Sequence, residues 1–294
     1  MAINPEILDL MVFYLHERER VRLKKEAGEP RPWTSEEALL KYRFTNVLRA
    51  NDYTTRWLVN NWYEPNKDAS LEILLLNAGI ARYFGTTEFC EAIGFSHEWD
   101  KERIRDIAIE RMRNRQKVFT SAYVITNGGV SDAKYNVVLD HYLTPFERNL
   151  EKLVDLGVET EEWESMANYM MRNLPGMGGT GFMTKEILSD FILAAGDRID
   201  WKDLYTWSPI GPGAQKGLNW LYDRSIDSKV SKSQALLELR EVAAAVGPRL
   251  ENWMPQFGEE LDLHGIQFGL CELAKIAKVR YWGERMKNNY TPRA

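Results

Sequence analysis

"TEEWESMANYMMRNLPGMGGTGFMTKEILSDF", Thr160 to Phe191, decides the fold. It contains Gly176-Met177-Gly178-Gly179-Thr180-Gly181, which matches G-x-G-x-x-G. In a dinucleotide-binding unit that pattern follows a β-strand and opens a helix. Here the preceding residues place Trp163, Met166, Ala167, Met170 and Met171 at helical spacing behind an acidic start. Helical spacing resumes from Met183 to Ala195. The segment therefore reads as helix, L-P-G-x-G turn, helix, and the dinucleotide match is accidental. The first N–H groups of the second helix have no intrahelical partner and carry partial positive charge, which suits an anion. Two readings stand side by side. Gly176, Gly178, Gly179 and Gly181, with Lys185, grip a DNA phosphate backbone, or the glycines serve only a tight turn with positive φ.

Working outward, nearly every segment reads as helix. "NPEILDLMVFYLHERERVRLKKEAG" has Pro5 near its start and Gly28 after its end. "TSEEALLKYRFTNVLRANDYTTRWLVNNWY" opens on Thr34 or Ser35 followed by glutamates, an N-cap signal. Further helices fit 71–83, 86–93, 101–115, 144–156, 160–172, 183–195, 215–222, 232–246 and 266–286. The run "VFTSAYVIT", 118–126, is strand-like but has no second run to pair with. No linker, low-complexity tract or solenoid repeat divides the chain. The expectation is an all-α helical globule with at most a minor β-hairpin. It is one domain over 1–294, with two possible lobes, about 1–140 and 141–294, and the active cleft between them.

The 294 residues include 44% hydrophobic and 28% charged side chains, enough for a full core in a soluble protein. No apolar run approaches the roughly 18 residues of a membrane helix. The N-terminus lacks the positive segment of a secretory signal. Cys90 and Cys271 make neither a disulfide framework nor a metal quartet, so a reducing cytoplasm is expected. No metal or other cofactor is expected. A net charge of −5 argues against a broadly basic surface. Local basic runs do occur at 103–117 and 275–294, and each reads equally as a solvated helix face.

Three polar groupings stand out. Read as a helix, the segment 42–62 lines up Asn46, Arg49, Tyr53, Arg56 and Asn60 opposite an apolar face, flanked by Arg43 and Asp52. Amides, guanidinium groups and a phenol suit a base edge plus a phosphate. In "HGIQFGLCELAKIAKVRYW", Gln267, Cys271, Lys275 and Trp282 share the side opposite the apolar face, with Glu272 beside them. That side is expected to be covered or to line a cleft, with an Glu272–Lys275 ion pair as the plainer reading. On the second hairpin helix Asp190 lies at the rim of the apolar face, as a semi-buried carboxylate or as a cap for a neighbouring helix. A second glycine-led helix entry occurs in "WSPIGPGAQKGLNWL". Gly211 and Gly213 break the chain there, and Lys216 is placed in the first turn that follows.

Taken in order, "GEPRPWT", "YRFTNVLRANDYTTRWL", "LPGMGGTGFMTKEILSDF", "WSPIGPGAQKGLNWL" and "IQFGLCELAKIAK" resemble a phage family, the amino acid:DNA transferases. These were first described as α-glutamyl/putrescinyl-thymine pyrophosphorylases and look related to helix-hairpin-helix DNA glycosylases. The resemblance runs from about Gly28 to Lys278. Where the family motif often reads Glu-Phe-Asp-Lys, this chain has Glu272-Leu273-Ala274-Lys275. The resemblance implies double-stranded phage DNA carrying phosphorylated 5-hydroxymethyluracil as substrate, in an infected bacterial cell. A DNA kinase acts first. An amine, with glycine the first choice, then displaces the phosphate. For this chemistry the sequence offers Asn46 with Tyr53 for the flipped base, and Lys275 or Arg43 for the phosphate. Asp190 or Glu272 serves as the base, and Arg49 receives an amino acid carboxylate. Asp52, Gln267 and the Gly211–Gly213 turn also match family positions. Two other classes remain open: a base-excision glycosylase on the same fold, and a non-catalytic helical DNA-binding module.

Overall fold

A computed structural model describes residues 2–251, 261–283 and 285. Asn4 opens α1 (Pro5–Glu26): its side-chain oxygen accepts the N–H of Glu6 at 2.9 Å and of Ile7 at 3.2 Å. The short α2 (Glu37–Lys41) follows, then α3 (Tyr53–Leu58), which continues as a π-wound stretch, Val59–Tyr63. Ser70 caps α4 (Leu71–Phe84), Thr86 caps α5 (Thr87–Ile93) and Asp100 caps α6 (Lys101–Arg113). α7 (Lys134–Asn136) runs through a π-wound stretch, Val137–Leu143, into α8 (Thr144–Glu147). Next come α9 (Leu150–Thr160), α10 (Trp163–Asn173) and α11 (Phe182–Ala195). Among the described residues α12 (Pro212–Leu221), α13 (Lys232–Glu251) and α14 (Leu263–Trp282) follow.

The fold is all-α, with no strand among the described residues. The run 118–126 forms neither strand nor helix; its Tyr142 neighbour ties it down, the phenol donating to the Thr126 carbonyl at 2.7 Å. No described helix is long and apolar enough to cross a membrane.

The chain forms two compact units. One joins Met1–Asp52 to Leu204–Ala294, and the other is Tyr53–Asp203. A boundary near residue 140 falls inside the second unit, within the π-wound stretch.

In the first unit, Leu8, Met11 and Leu15 of α1 meet Leu218 and Leu221 of α12, Leu239 and Val242 of α13, and Ile266, Leu270 and Leu273 of α14. Two glycines of α12 let it lie close along α14. A β-carbon on Gly217 would fall 2.4 Å from the Leu270 carbonyl oxygen, and one on Gly213 would fall 2.9 Å from Cys271 Sγ. In the second unit α4 is buried from Leu74 to Phe84 and packs on α11. Gly79 admits the Phe146 ring, and Gly85 ends the helix at φ +69°. Arg82 of α4 is buried and holds Asp190 of α11 through a fork: Nε donates to Oδ2 at 2.5 Å and Nη2 donates to Oδ1. The same Nη2 reaches Thr55 Oγ1 at 2.9 Å.

Candidate functional site

The first grouping does not sit on a helix. The continuous helix expected from Thr34 to Tyr63 stops at Lys41. From Tyr42 the chain is mostly extended, makes one 3-10 turn at Arg49–Asn51, and becomes helical again only at Tyr53. Short polar side chains cause the break by bonding their own backbone. The Asn46 N–H donates to Asp52 Oδ1 at 3.0 Å, and Asn46 Nδ2 donates to the Asn51 carbonyl at 2.7 Å. Arg49 Nη1 then donates to Asp52 Oδ2 at 2.9 Å. The helical stripe is thus replaced by a side-chain-closed loop that gathers Asn46, Arg49 and Asp52. Arg43 is exposed beside it. Tyr53, 59% exposed, and Arg56 begin the other unit.

α14 supplies the second part. Gln267 and Glu272 are buried, at 1% and 3% exposure. Gln267 Nε2 lies 3.7 Å from Cys271 Sγ. Lys275 is half-buried and donates from Nζ to Glu272 Oε1 at 2.5 Å. Glu272 Oε2 has no hydrogen-bond partner among the described residues. Burial raises the pKa of this carboxyl above the ordinary glutamate value, against the pull of Lys275. The side chain of Trp282 lies outside the described residues, as do Lys287 and Arg293 of the basic tail.

These two parts belong to one cluster. Lys275 Nζ lies 5.9 Å from the centre of the Phe44 ring, and the Arg49 guanidinium lies 5.1 Å from that of Phe268. The cluster is completed by α1. Tyr14 is buried, its ring 5.6 Å from that of Phe44 and its hydroxyl 3.5 Å from the Thr45 carbonyl. Arg18 Nη2 donates to Asn46 Oδ1. Burial, with Glu272 next, holds the Tyr14 phenol well above its ordinary pKa; the charges of Arg18 and Asp52 act on it too. Three cations (Arg18, Arg49, Lys275) and two carboxyls (Asp52, Glu272) thus share a partly buried site in the first unit. Sequence reasoning missed Tyr14 and Arg18. A signal was present: Met11, Tyr14, Leu15 and Arg18 stand at i, i+3, i+4, i+7, so Arg18 continues the apolar face of α1.

The hairpin lies in the second unit. Gly176, Gly179 and Gly181 have φ of +76°, +66° and +69°, so all three need glycine's freedom; Gly178 does not. A β-carbon on Gly176 would strike the Tyr142 ring, whereas one on Gly179 would meet nothing within 4 Å. Thr184 Oγ1 closes the turn on the Met177 carbonyl at 2.8 Å. Lys185, expected to reach DNA, is instead turned inward: it is 5% exposed, with Nζ 3.7 Å from Glu186 and 5.5 Å from the Phe182 ring centre. Asp190 is not at a rim. It is fully buried, and Arg82 occupies both its oxygens.

At the other glycine turn, Gly211 caps α12 with no side-chain cap bond. Gly213 faces Cys271 and so serves helix packing. Because α12 begins at Pro212, Lys216 lies past the first turn, 3.3 Å from Asp227 Oδ1. Among the described residues no group of histidine, cysteine or acidic side chains is arranged to hold a metal.

A "5-hmdU DNA kinase" of Bacillus phage SP10 is 24% identical over 290 residues, which is 91% of this chain and 44% of that protein. The chain thus spans less than half the length of the curated relative it matches. No solved structure matches it. A family model described as "5-hmdU DNA kinase, helical domain" matches residues 5–283, nearly the whole chain, and the protein belongs to that family.

Proposed function

We propose that this chain acts on phage DNA containing 5-hydroxymethyluracil and transfers an amine, with glycine the first choice, onto the phosphorylated base. Its relative is named a kinase for 5-hydroxymethyl-deoxyuridine DNA, and a kinase makes the phosphate ester that such a transfer consumes. The 294 residues contain no G-x-x-x-x-G-K-[ST] run, the loop that cradles nucleotide phosphates in P-loop enzymes. The observation that carries the reading is Glu272: a buried carboxyl with one oxygen on Lys275, the other without a partner among the described residues, and the charge of Arg18 acting on it.

The chemistry balances as a substitution at carbon. The donor ammonium gives a proton to Glu272, whose raised pKa makes it a better proton acceptor than an ordinary carboxylate near neutral pH. The amine lone pair forms a C–N bond to the 5-methylene carbon. The C–O bond to phosphate breaks, and the phosphate leaves with the electron pair toward Lys275. In this reading Asn46 and the Phe44 ring meet an extruded base. Glu272 is preferred over Asp190 as the base because Arg82 already holds both Asp190 oxygens. Gly179, with open space around it, and the start of α11 are the places where a phosphodiester would approach backbone in the second unit.

The coverage of the relative favours a second reading: a helical module that holds DNA for a kinase carried elsewhere. Single-turnover incubation with duplex DNA carrying phosphorylated 5-hydroxymethyluracil separates the two. Phosphate release with an amine-bearing nucleoside after digestion supports transfer. DNA retention in a gel with no phosphate released under any donor supports the module.

A further inference from the structure

Two groups with charge or hydrogen-bonding capacity to spare face the same cluster. Glu272 Oε2 is a buried acceptor without a donor among the described residues. Arg18 is half-buried, and the partner its guanidinium finds is the neutral Asn46 amide; no described carboxylate comes within ion-pair distance of it. Arg49 differs, because its guanidinium is already engaged by Asp52. Asn46 in turn is held through its amide nitrogen by Asn51 and through its backbone N–H by Asp52, so the group that orients Arg18 is itself fixed. A partly desolvated guanidinium on a rigid amide, with an unfilled carboxyl oxygen in the same site, is a matched pair of opposite demands.

We propose that Arg18 and Glu272 form a subsite for the zwitterion of a small α-amino acid, Arg18 receiving its carboxylate and Glu272 its ammonium. This rests on the amine-transfer reading and deepens it by assigning recognition of an amino acid donor to two named side chains. It also moves carboxylate recognition from Arg49 to a residue of α1. A guanidinium meets a carboxylate through two parallel N–H donors, so a donor lacking that group leaves Arg18 unpaired. Loss of a hydrogen bond to a charged group corresponds to roughly a 10–100-fold loss of affinity.

Glycine, glycinamide and putrescine are the probes, each titrated calorimetrically into the full chain without DNA. Each is then offered as donor to duplex DNA bearing phosphorylated 5-hydroxymethyluracil. The expected result is that glycine binds at least about 10-fold tighter than glycinamide or putrescine. Arg18→Gln should bring glycine down to the glycinamide level, and Glu272→Gln should weaken both. The glycine–glycinamide comparison on the unmutated chain needs no variant to fold. Equal affinity for glycine and glycinamide overturns the subsite, as does tightest binding of putrescine or a glycine preference that survives Arg18→Gln. Failure of transfer from every donor overturns the amine-transfer reading instead, and the calorimetric ranking then still decides the subsite by itself.

Discussion

Gly217→Ala tests whether close packing of α12 on α14 positions the site. A β-carbon at 217 would lie 2.4 Å from the Leu270 carbonyl oxygen, 2.9 Å from its carbonyl carbon and 3.0 Å from its Cβ. A relaxed C···O contact is about 3.3 Å, so the two helices must part by roughly 1 Å. The obstacle is backbone in the middle of a helix and has no rotamer to yield. Overpacking of this kind costs about 1–3 kcal/mol, and the upper end applies where backbone must move. Replacing a helical glycine with alanine returns about 1 kcal/mol. The net expectation is a loss of about 2 kcal/mol, or roughly 4–8 °C in the thermal midpoint. Gly213→Ala is the control. It lies one turn away on the same helix, at the second helical residue where the propensity gain is smaller, and its β-carbon meets Cys271 Sγ, a side-chain end that can swing aside. Its stability should change by less than about 1 kcal/mol. Glu272 and Lys275 follow Leu270 on α14, so the shift also reaches the chemistry. A displacement of this size slows a well-oriented reaction by about 10²-fold. Urea unfolding followed by circular dichroism, with single-turnover transfer alongside, measures both. A Gly217→Ala protein as stable as Gly213→Ala, or equally active, refutes the reasoning.

Three other outcomes follow from buried carboxyls. Asp190→Asn strips the forked charge partner from a buried Arg82, leaving it Glu186 at 3.7 Å, and should destabilise the second unit by about 3 kcal/mol; a wild-type unfolding midpoint combined with lost transfer would instead assign Asp190 to the chemistry. Burial raises the Glu272 pKa, and a base acts when ionised, so the transfer rate should climb with pH through a midpoint above the ordinary glutamate value of about 4.3. In Glu272→Gln the rate should fall roughly 10²–10⁴-fold and lose that rise, and an unchanged profile would remove Glu272 from the mechanism. Asp262, the N-cap of α14, is pushed by burial up to about 6, only partly offset by the N–H groups of Gly265 and His264. The folded chain therefore binds that proton more tightly than the unfolded chain. Its contribution is full below an unfolded pKa near 3.8 and is lost as pH rises through about 6. Asp262→Asn keeps a capping oxygen without the charge, so its stability relative to wild type should improve by up to about 3 kcal/mol between pH 4 and pH 7; parallel curves for the two proteins would contradict this.

Much of the fold was legible because the helices carry their own stop signals. The expected 71–83 and 183–195 are Leu71–Phe84 and Phe182–Ala195 in the structure, the first ended by Gly85 and the second entered through Gly181. Where side chains compete with the backbone, pattern reading failed. Nothing in apolar spacing reveals that Asn46 and Asp52 close a loop on their own main chain, although Thr45, Asn46, Asn51 and Asp52 are all weak helix formers. The expected 144–156 likewise merged two helices. α8 ends at Glu147 and α9 begins at Leu150, and Asn149 at the junction turns its amide back to the Pro145 carbonyl at 2.8 Å.

The same competition built the site. Had 42–52 remained helical, Asn46 and Arg49 would have stood on one exposed face, free to move with their rotamers. As a loop, the side chains are fixed by one another and by the main chain: Asp52 holds Arg49 and the Asn46 backbone N–H, the Asn51 carbonyl holds the Asn46 amide, and Asn46 holds Arg18. Periodicity can nominate residues that share a helix. It cannot bring α1, this loop and α14 together, because their sequence separation exceeds any helical repeat. What joins them is the apolar packing of α1 against α14, with Gly269 letting Leu15 and Met11 approach. Arg18, one turn beyond that contact, is carried into the site by the apolar face it extends. A core-facing helix with a cation where the next apolar residue belongs is thus a physical reason to look for an anion there, before any motif is recognised.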